Sequence, residues 1–472
     1  MTLLTTAVPG PELPGPGLRR RLRATPAGRL ARTAAGVLGS DRFPAALAAA
    51  TVLLVCLPTG GDRNVAAAVH VTPADVVSVG LVGVCGLRAV TALRRGEGGL
   101  LPARAALLFT GVLLAVAVAT AASQDPHQSL SGFVRAVQVF VLVPLAVLLS
   151  LRGRRDLRLL LAALVGAALV EGSVGVEQYL TGTGASYDGG TIRAVGTFGA
   201  QDIMAMSAVV SYGMIAALGL ALEARAGGRA RRAAALGAVA LLLTAPLALS
   251  FSRGSWIATG CAVATALLFT DVRLLLRGAV FGLAAAVVLV GGLGLGGASV
   301  VARLSSITQV TGAAPDHSVS DRYDLWSTAG AIWRQHPATG VGPKEFPQFR
   351  DAHAPVRLSS GSDTAGAGAG FSREPLLSPH NMYLLVLSEQ GLIGLTAFGA
   401  LVLGLLTGTV RHARRSRGGL AAALLGLLVW QLVDFLYADI GGPATVLVSF
   451  VLGLAAFGAF VGTGDDAGDG AS

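Results

Sequence analysis

"EPLLSPHNMYLLVLSEQGLIGL", residues 374–395, passes from a polar loop into an apolar helix of bilayer-crossing character, with His380 and Asn381 at the turning point. The same kind of apolar run recurs along the chain. With 53% hydrophobic and only 13% charged residues among 472, the composition is that of an all-α, polytopic membrane protein. Spans are expected at about 43–60, 74–93, 103–122, 131–151, 157–177, 202–222, 233–250, 254–270, 274–297, 381–410, 419–437 and 442–463, about twelve in all.

The net charge of +10 does not point to nucleic acid, because the basic residues sit in short clusters between apolar runs. Threading the chain from a cytoplasmic N-terminus places Arg19, Arg20, Arg21, Arg23, Arg94, Arg95, Arg152, Arg154, Arg155, Arg225, Arg229, Arg231, Arg232, Arg411, Arg414, Arg415 and Arg417 on one side. The short loops opposite hold only Arg63, Arg193 and Arg253. The positive-inside rule then predicts cytoplasmic termini. Lys344 is the single lysine, and the alanine, glycine and arginine content points to a GC-rich source. Cys56, Cys85 and Cys261 each lie inside an apolar run, which argues against a disulfide framework or a zinc site.

Five segments are expected. Residues 1–42 form a disordered basic tail without the apolar core of a signal peptide, 43–297 a bundle of about nine spans, and 298–380 an extracytoplasmic loop subdomain. Residues 381–463 form about three further spans, and 464–472 a cytoplasmic tail. A second outer segment runs over 178–201. In the large loop, "SVSDRYDLWSTAGAIWRQHP" predicts an amphipathic helix capped by Ser320 and stopped at Pro337, with Arg322, Trp326, Ala329 and Trp333 on one face. The stretch "SSGSDTAGAGAG", 359–370, reads as low-complexity and mobile.

Three residues stand out. Arg253, in "LALSFSRGSWIATG", sits at the outer boundary with no basic cluster around it; it either snorkels to lipid headgroups or offers its guanidinium fork to an anion. Arg322 either pairs with a loop carboxylate such as Asp321 or Asp324 or does the same. His380 is either a wetted cap or a base, held neutral by the two arginines. Gly391, about three turns on, shares its face, and with Gly394 permits close helix packing. His70, His127, His317, His336, His353 and His412 read as loop residues. Arg135, Glu177, Gln178 and Asp202 fall near outer span ends, where each lines a cavity or makes a structural pair.

Three segments together resemble the O-antigen ligase and O-antigen polymerase family of bacterial membrane glycosyltransferases: "SFSRGSW" (250–256), "DRYDLWSTAGAIWRQHPATGVGPKEF" (321–346) and "HNMYLLVLSEQGLIGL" (380–395). A weaker element is "VEQYLTGTGASYDGGTIRAVGTFGAQDIMA", 176–205. The likeness runs in order over about 170–440, while the N-terminal third agrees only in hydropathy. It implies transfer of a glycan from an undecaprenyl diphosphate carrier to an acceptor hydroxyl at the outer face of the bacterial plasma membrane. The acceptor is a glycan, lipid or protein, and membrane lipids are the remaining partner. Position by position, Arg253 and Arg322 match the arginines that hold the diphosphate, and His380 the essential histidine. Asp202 departs from the family's asparagine. Trp326 and Asn381 are candidates to line or support the same cavity.

The chemistry implied is metal-independent and inverting. Guanidiniums stabilise charge on the leaving diphosphate, His380 takes the acceptor's proton, and no cofactor or nucleotide is expected. Two other readings compete. A secondary transporter would show two related halves with broken helices near the midplane. A peptidoglycan polymerase of the shape-and-division type would share the multi-span body and large outer loop.

Overall fold

The computed structural model describes residues 40–58, 71–187, 192–199, 202–287, 317–355, 358, 362–365, 372–374 and 376–462. The chain divides into Met1–Pro44 and Ala45–Ser472. Most of the expected basic tail, the junction at 288–316 and the tail at 464–472 lie outside the described residues.

The architecture is helical. In order come α1 (Phe43–Leu54), α2 (Pro73–Arg94), α3 (Ala103–Ala121), α4 (Pro126–Ser150, with a π turn over Gln138–Leu142), α5 (Arg154–Thr181), α6 (Ile203–Ala226) and α7 (Ala230–Leu249). They are followed by α8 (Arg253–Leu268), α9 (Val272–Val287), α10 (His317–Gln335), α11 (Phe346–His353), α12 (Met382–Ser416), α13 (Gly419–Asp434) and α14 (Thr445–Phe460). Among the described residues seven helices, α2 to α7 and α12, are long and apolar enough to cross a membrane, and α1, α13 and α14 are shorter apolar helices. The chain is an integral membrane protein.

Side-chain caps mark the helix starts that the sequence places outside. Thr72 Oγ1 accepts from Asp75 N and Thr72 N donates to the Asp75 carboxylate in return, Asp125 accepts from His127 and Gln128 N, and Ser252 and Asn381 cap α8 and α12. The opposite end carries the arginines. There Arg154 (2.6 Å) and Arg158 (3.0 Å) neutralise the buried Glu223. Between the ends, small residues let helices touch: Gly213 lies against Ala168, Gly219 against Ala423, and Gly408 against Ala459.

Three features differ from the sequence expectations. The loop helix α10 already includes His317, so Ser320 lies inside it and does not cap it. The stretch read as structureless contributes a strand. Ser362–Ala365 (β2) pairs antiparallel with Ser186–Tyr187 (β1) and with Ser372–Glu374 (β3), joining the two long segments between helices. Backbone groups in a surface loop still need partners, and a three-stranded sheet supplies them without a strongly patterned sequence. Finally, Gly391 does not serve helix packing in the expected way. At φ 63° and ψ −161° it breaks α12.

That break is filled by the loop after α10. Val341 and Gly342 N donate to the Ser388 and Glu389 carbonyls at 3.1 and 2.9 Å, while Leu392 and Ile393 N donate to Pro337 and Ala338 O at 2.9 and 3.1 Å. Four backbone groups freed by the kink are thereby satisfied inside the protein. Glu389 further accepts from Phe346 N (3.2 Å), and Glu345 from Ser129 (3.2 Å), which wedges the loop between α12 and α4. A Cβ on Gly391 would strike the Ala338 carbonyl.

Gly391→Ala is therefore expected to lower stability by about 2 kcal/mol or more, from left-handed strain and lost contact. Thermal unfolding of the detergent-purified protein measures it. An unchanged midpoint would show that the kink does not need glycine.

Candidate functional site

The site grows from the start of α12. Asn381 caps it, accepting from Leu384 N at 3.1 Å, and its amide donates to Leu436 O at 2.9 Å. Met382 N, an unpaired first-turn donor in an isolated helix, bonds the carbonyls of Phe435 (2.9 Å) and Ala438 (3.1 Å). Tyr383 adds a bond to Leu432 O at 3.0 Å. The segment between α13 and α14 is thus drawn over the helix start, and Asp439 comes to lie beside His380.

His380 sits at φ 47°, in the left-handed region that non-glycine residues rarely adopt. Such strain, about 1–3 kcal/mol, persists only where surrounding contacts hold it. On one side Ser378 Oγ accepts from His380 N at 3.4 Å. On the other, the Trp326 indole of α10 donates to Pro379 O at 3.1 Å. Trp326 is thus a clamp on the histidine's loop, and it brings Arg322, one turn earlier, within electrostatic reach of the imidazole. His380 keeps part of its surface exposed, yet the protein packed around it makes burial the largest influence on the ring. Burial lowers its pKa, Asp439 opposes the shift, and Arg322 adds to it, with a net lowering. A neutral imidazole at neutral pH can accept a proton.

Arg253 is half-buried at the first turn of α8, behind the Ser252 cap and after Phe251 at φ 50°. The phenol of Tyr437 donates to Gly254 O, and a Cβ on Gly254 would meet that ring. The segment that carries Asp439 therefore also holds the turn that carries Arg253. Beneath it, hydroxyls fix α8 against α6 and α13: Ser255 with Ser207 (2.8 Å), Thr259 with Ser211 (2.8 Å), and Trp430 Nε1 with Thr259 (3.0 Å).

The other expected residues divide. Asp202 comes to the same segment: a Cβ on Gly442 would lie 2.7 Å from its Oδ1. Gln178 accepts from Val195 and Gly196 N at 3.0 and 2.9 Å and donates to Gly196 O at 2.8 Å. Together with Glu171, which accepts from Thr197 N and Oγ1 at 2.9 and 2.8 Å, it docks the 195–198 stretch onto α5. Glu177 is exposed on α5. Arg135 pairs with Asp75 at 2.6 Å and contacts Gln138 at 3.1 Å. It lines a separate cavity of about 580 Å3 between α2 and α4, on the face of α4 away from the Glu345 loop. His412, read as a loop residue, is buried in the last turns of α12. Among the described residues no group of three or more His, Cys, Asp or Glu is arranged to hold a metal ion.

Asp439, Tyr437 and Ser378 were not singled out from sequence. Their signal is the polar island "YADIGGP", 437–443, between two apolar runs, which reads as ordinary span ends. The backbone bonds of Met382 and the side-chain amide bond of Asn381 show that it folds back over His380.

Residues 237–399 match the O-antigen ligase family model, in agreement with the resemblance seen in the sequence. The match includes Arg253, Arg322 and His380 and ends before Asp439. No curated protein matches the chain. Residues 237–399 are thus similar to the O-antigen ligase family, a likeness that supports a membrane glycosyltransferase in general and implies lipid-linked glycan and acceptor as kinds of partner.

Replacing Asn381 by alanine removes both the cap and the tie to Leu436, and is expected to cost about 1–2 kcal/mol. Asn381→Asp keeps the cap acceptor but not the donor, and falls between. An Asn381→Asp midpoint equal to that of the wild type would show that the Leu436 bond contributes nothing, and one equal to that of Asn381→Ala that the cap contributes nothing.

Proposed function

We propose that this protein moves a glycan from an undecaprenyl diphosphate carrier to an acceptor hydroxyl, with His380 as the base and Arg253 and Arg322 as the diphosphate clamp. The observation that carries the reading is the single segment, 435–439, that bonds the helix starts behind both His380 and Arg253 while Trp326 holds Arg322's helix against Pro379. In this reading two guanidiniums and a neutral imidazole, brought from distant parts of the chain, serve one region.

In the reaction the acceptor oxygen attacks the anomeric carbon as His380 takes its proton. The bond from that carbon to the diphosphate oxygen breaks, and the electron pair leaves with the diphosphate. Attack opposite the leaving group inverts the anomeric centre. Preorganised donors are worth about 3 kcal/mol each when aimed at the developing charge, which fits two arginine forks at a low-dielectric boundary. General-base help adds about 10²–10⁴-fold. Asp439 acts through His380. Its charge keeps the ring basic enough to hold the proton, against the arginine and the burial that lower its pKa.

The same proposal includes the about twelve spans, the outward-facing 298–380 loop, the cytoplasmic termini and the bacterial plasma membrane. The side-chain caps on α2, α4, α8 and α12, and the arginines at the opposite end, support this orientation.

In cells lacking the gene, lipid-linked glycan is expected to accumulate. Wild-type protein should relieve the accumulation, while His380→Ala should insert normally and fail to relieve it; relief by that variant would remove the base role. Arg253→Lys should lose at least about tenfold in transfer, because a point charge cannot replace the bidentate fork. Asp439→Asn removes the anion that raises the imidazole's pKa. The acid limb of the pH–rate profile should therefore move to lower pH with a reduced maximum, and a limb that stays in place or rises contradicts the pairing.

A further inference from the structure

At the end of α12 opposite His380, the last turns of α12 and α14 and the first turn of α3 enclose a cavity of about 270 Å3. Arg104, Arg411, His412, Arg415 and the chain at 458–462 line it. Gly408 against Ala459 draws α12 and α14 close enough for the two helix ends to form one wall. Arg411 and Arg415 are four residues apart, so both guanidiniums project from one face of α12, where like charges repel. Arg104 adds a third cation from the first turn of α3, the positive end of that helix dipole. The end of α14 supplies about half a negative charge, too little to balance three cations. Among the described residues no carboxylate lines the cavity, and none pairs with Arg104, Arg411 or Arg415.

An arrangement in which each neighbour repels the next is relieved by an anion between them. Guanidinium forks suit phosphate oxygens, and the cavity lies where apolar helices end, at headgroup level. We propose that this cavity is a phosphate-binding site that takes the headgroup of an anionic lipid. It is separate from the transfer site by the length of α12, 35 residues at about 1.5 Å each, and it requires no step of the chemistry proposed above.

The general attraction of arginines to one membrane face would also favour anionic lipid, so the test needs a charge-matched control. Full-length protein is purified in detergent with an equimolar mixture of phosphatidylglycerol and phosphatidylcholine, and retained lipid is counted by native mass spectrometry. Wild type should keep one phosphatidylglycerol preferentially. Arg411→Gln/Arg415→Gln, and separately Arg104→Gln, should reduce that retention, the double variant by about tenfold or more. Arg231→Gln/Arg232→Gln, which removes two exposed arginines outside the cavity, should change it less than twofold. In a parallel arm, inorganic phosphate is added without lipid. Thermal stabilisation by phosphate that the double variant loses, together with no lipid preference, assigns the same site to a free phosphate.

Equal loss in the cavity and control variants overturns the proposal, as does the absence of both lipid preference and phosphate stabilisation. A preference that emerges only after Asp465→Asn/Asp466→Asn also overturns it, because the chain's own acids would then be the occupant.

Discussion

The backbone of α12 leaves polar groups without partners at two places, its first turn and the break at Gly391. Neither place can be left so in a membrane protein, where water is scarce and an unmet N–H or C=O costs several kcal/mol. The chain answers with two irregular segments. Residues 337–342 exchange four hydrogen bonds with the break, and the carbonyls of Phe435 and Ala438 receive Met382 N. The candidate site follows from this satisfaction of backbone groups. One segment anchors the end of the helix that carries Arg322, and the other carries Asp439 to His380 and Tyr437 to the turn of Arg253.

Much of this was legible in the sequence, because it depends on local chemistry. The run from Pro379 to Leu395 announces a polar helix start, and of its two polar residues it is Asn381, not His380, that caps α12. The stop of α10 before Pro337 was equally readable, and the order Arg253, Arg322, His380 identified the segments that the structure ties together. What could not be read depends on contacts distant in sequence. Gly391 and Gly394 look like a packing stripe, since the same small residues serve close approach and a broken helix; only the loop seated on the break separates the two. Asp439 is 59 positions from His380 by numbering, in a segment whose polarity is also that of a plain interhelical turn. Arg135 was open between lining a cavity and making a structural pair; it pairs with Asp75 and lines a cavity beside it, one that does not include His380.

The two ends of the bundle are built on different principles. At the end with His380, helix starts are satisfied by Thr72, Asp125, Ser252 and Asn381, so the charged residues there are few and individually placed. The other end is crowded with arginine, part of it neutralised by Glu223 and part of it gathered around a cavity that no carboxylate lines among the described residues. A lone guanidinium at the first end carries information that one of many at the second does not. This asymmetry let Arg253 stand out in the sequence by its place at the boundary, with no basic cluster around it.

The central claim is that Arg253, Arg322 and His380 face one diphosphate. A cryo-EM map of the full-length protein in lipid nanodiscs with undecaprenyl diphosphate tests it most directly. The account predicts diphosphate density between the two guanidiniums and next to the imidazole, under the 435–439 segment. Density elsewhere on the protein, with these three side chains apart, would contradict it.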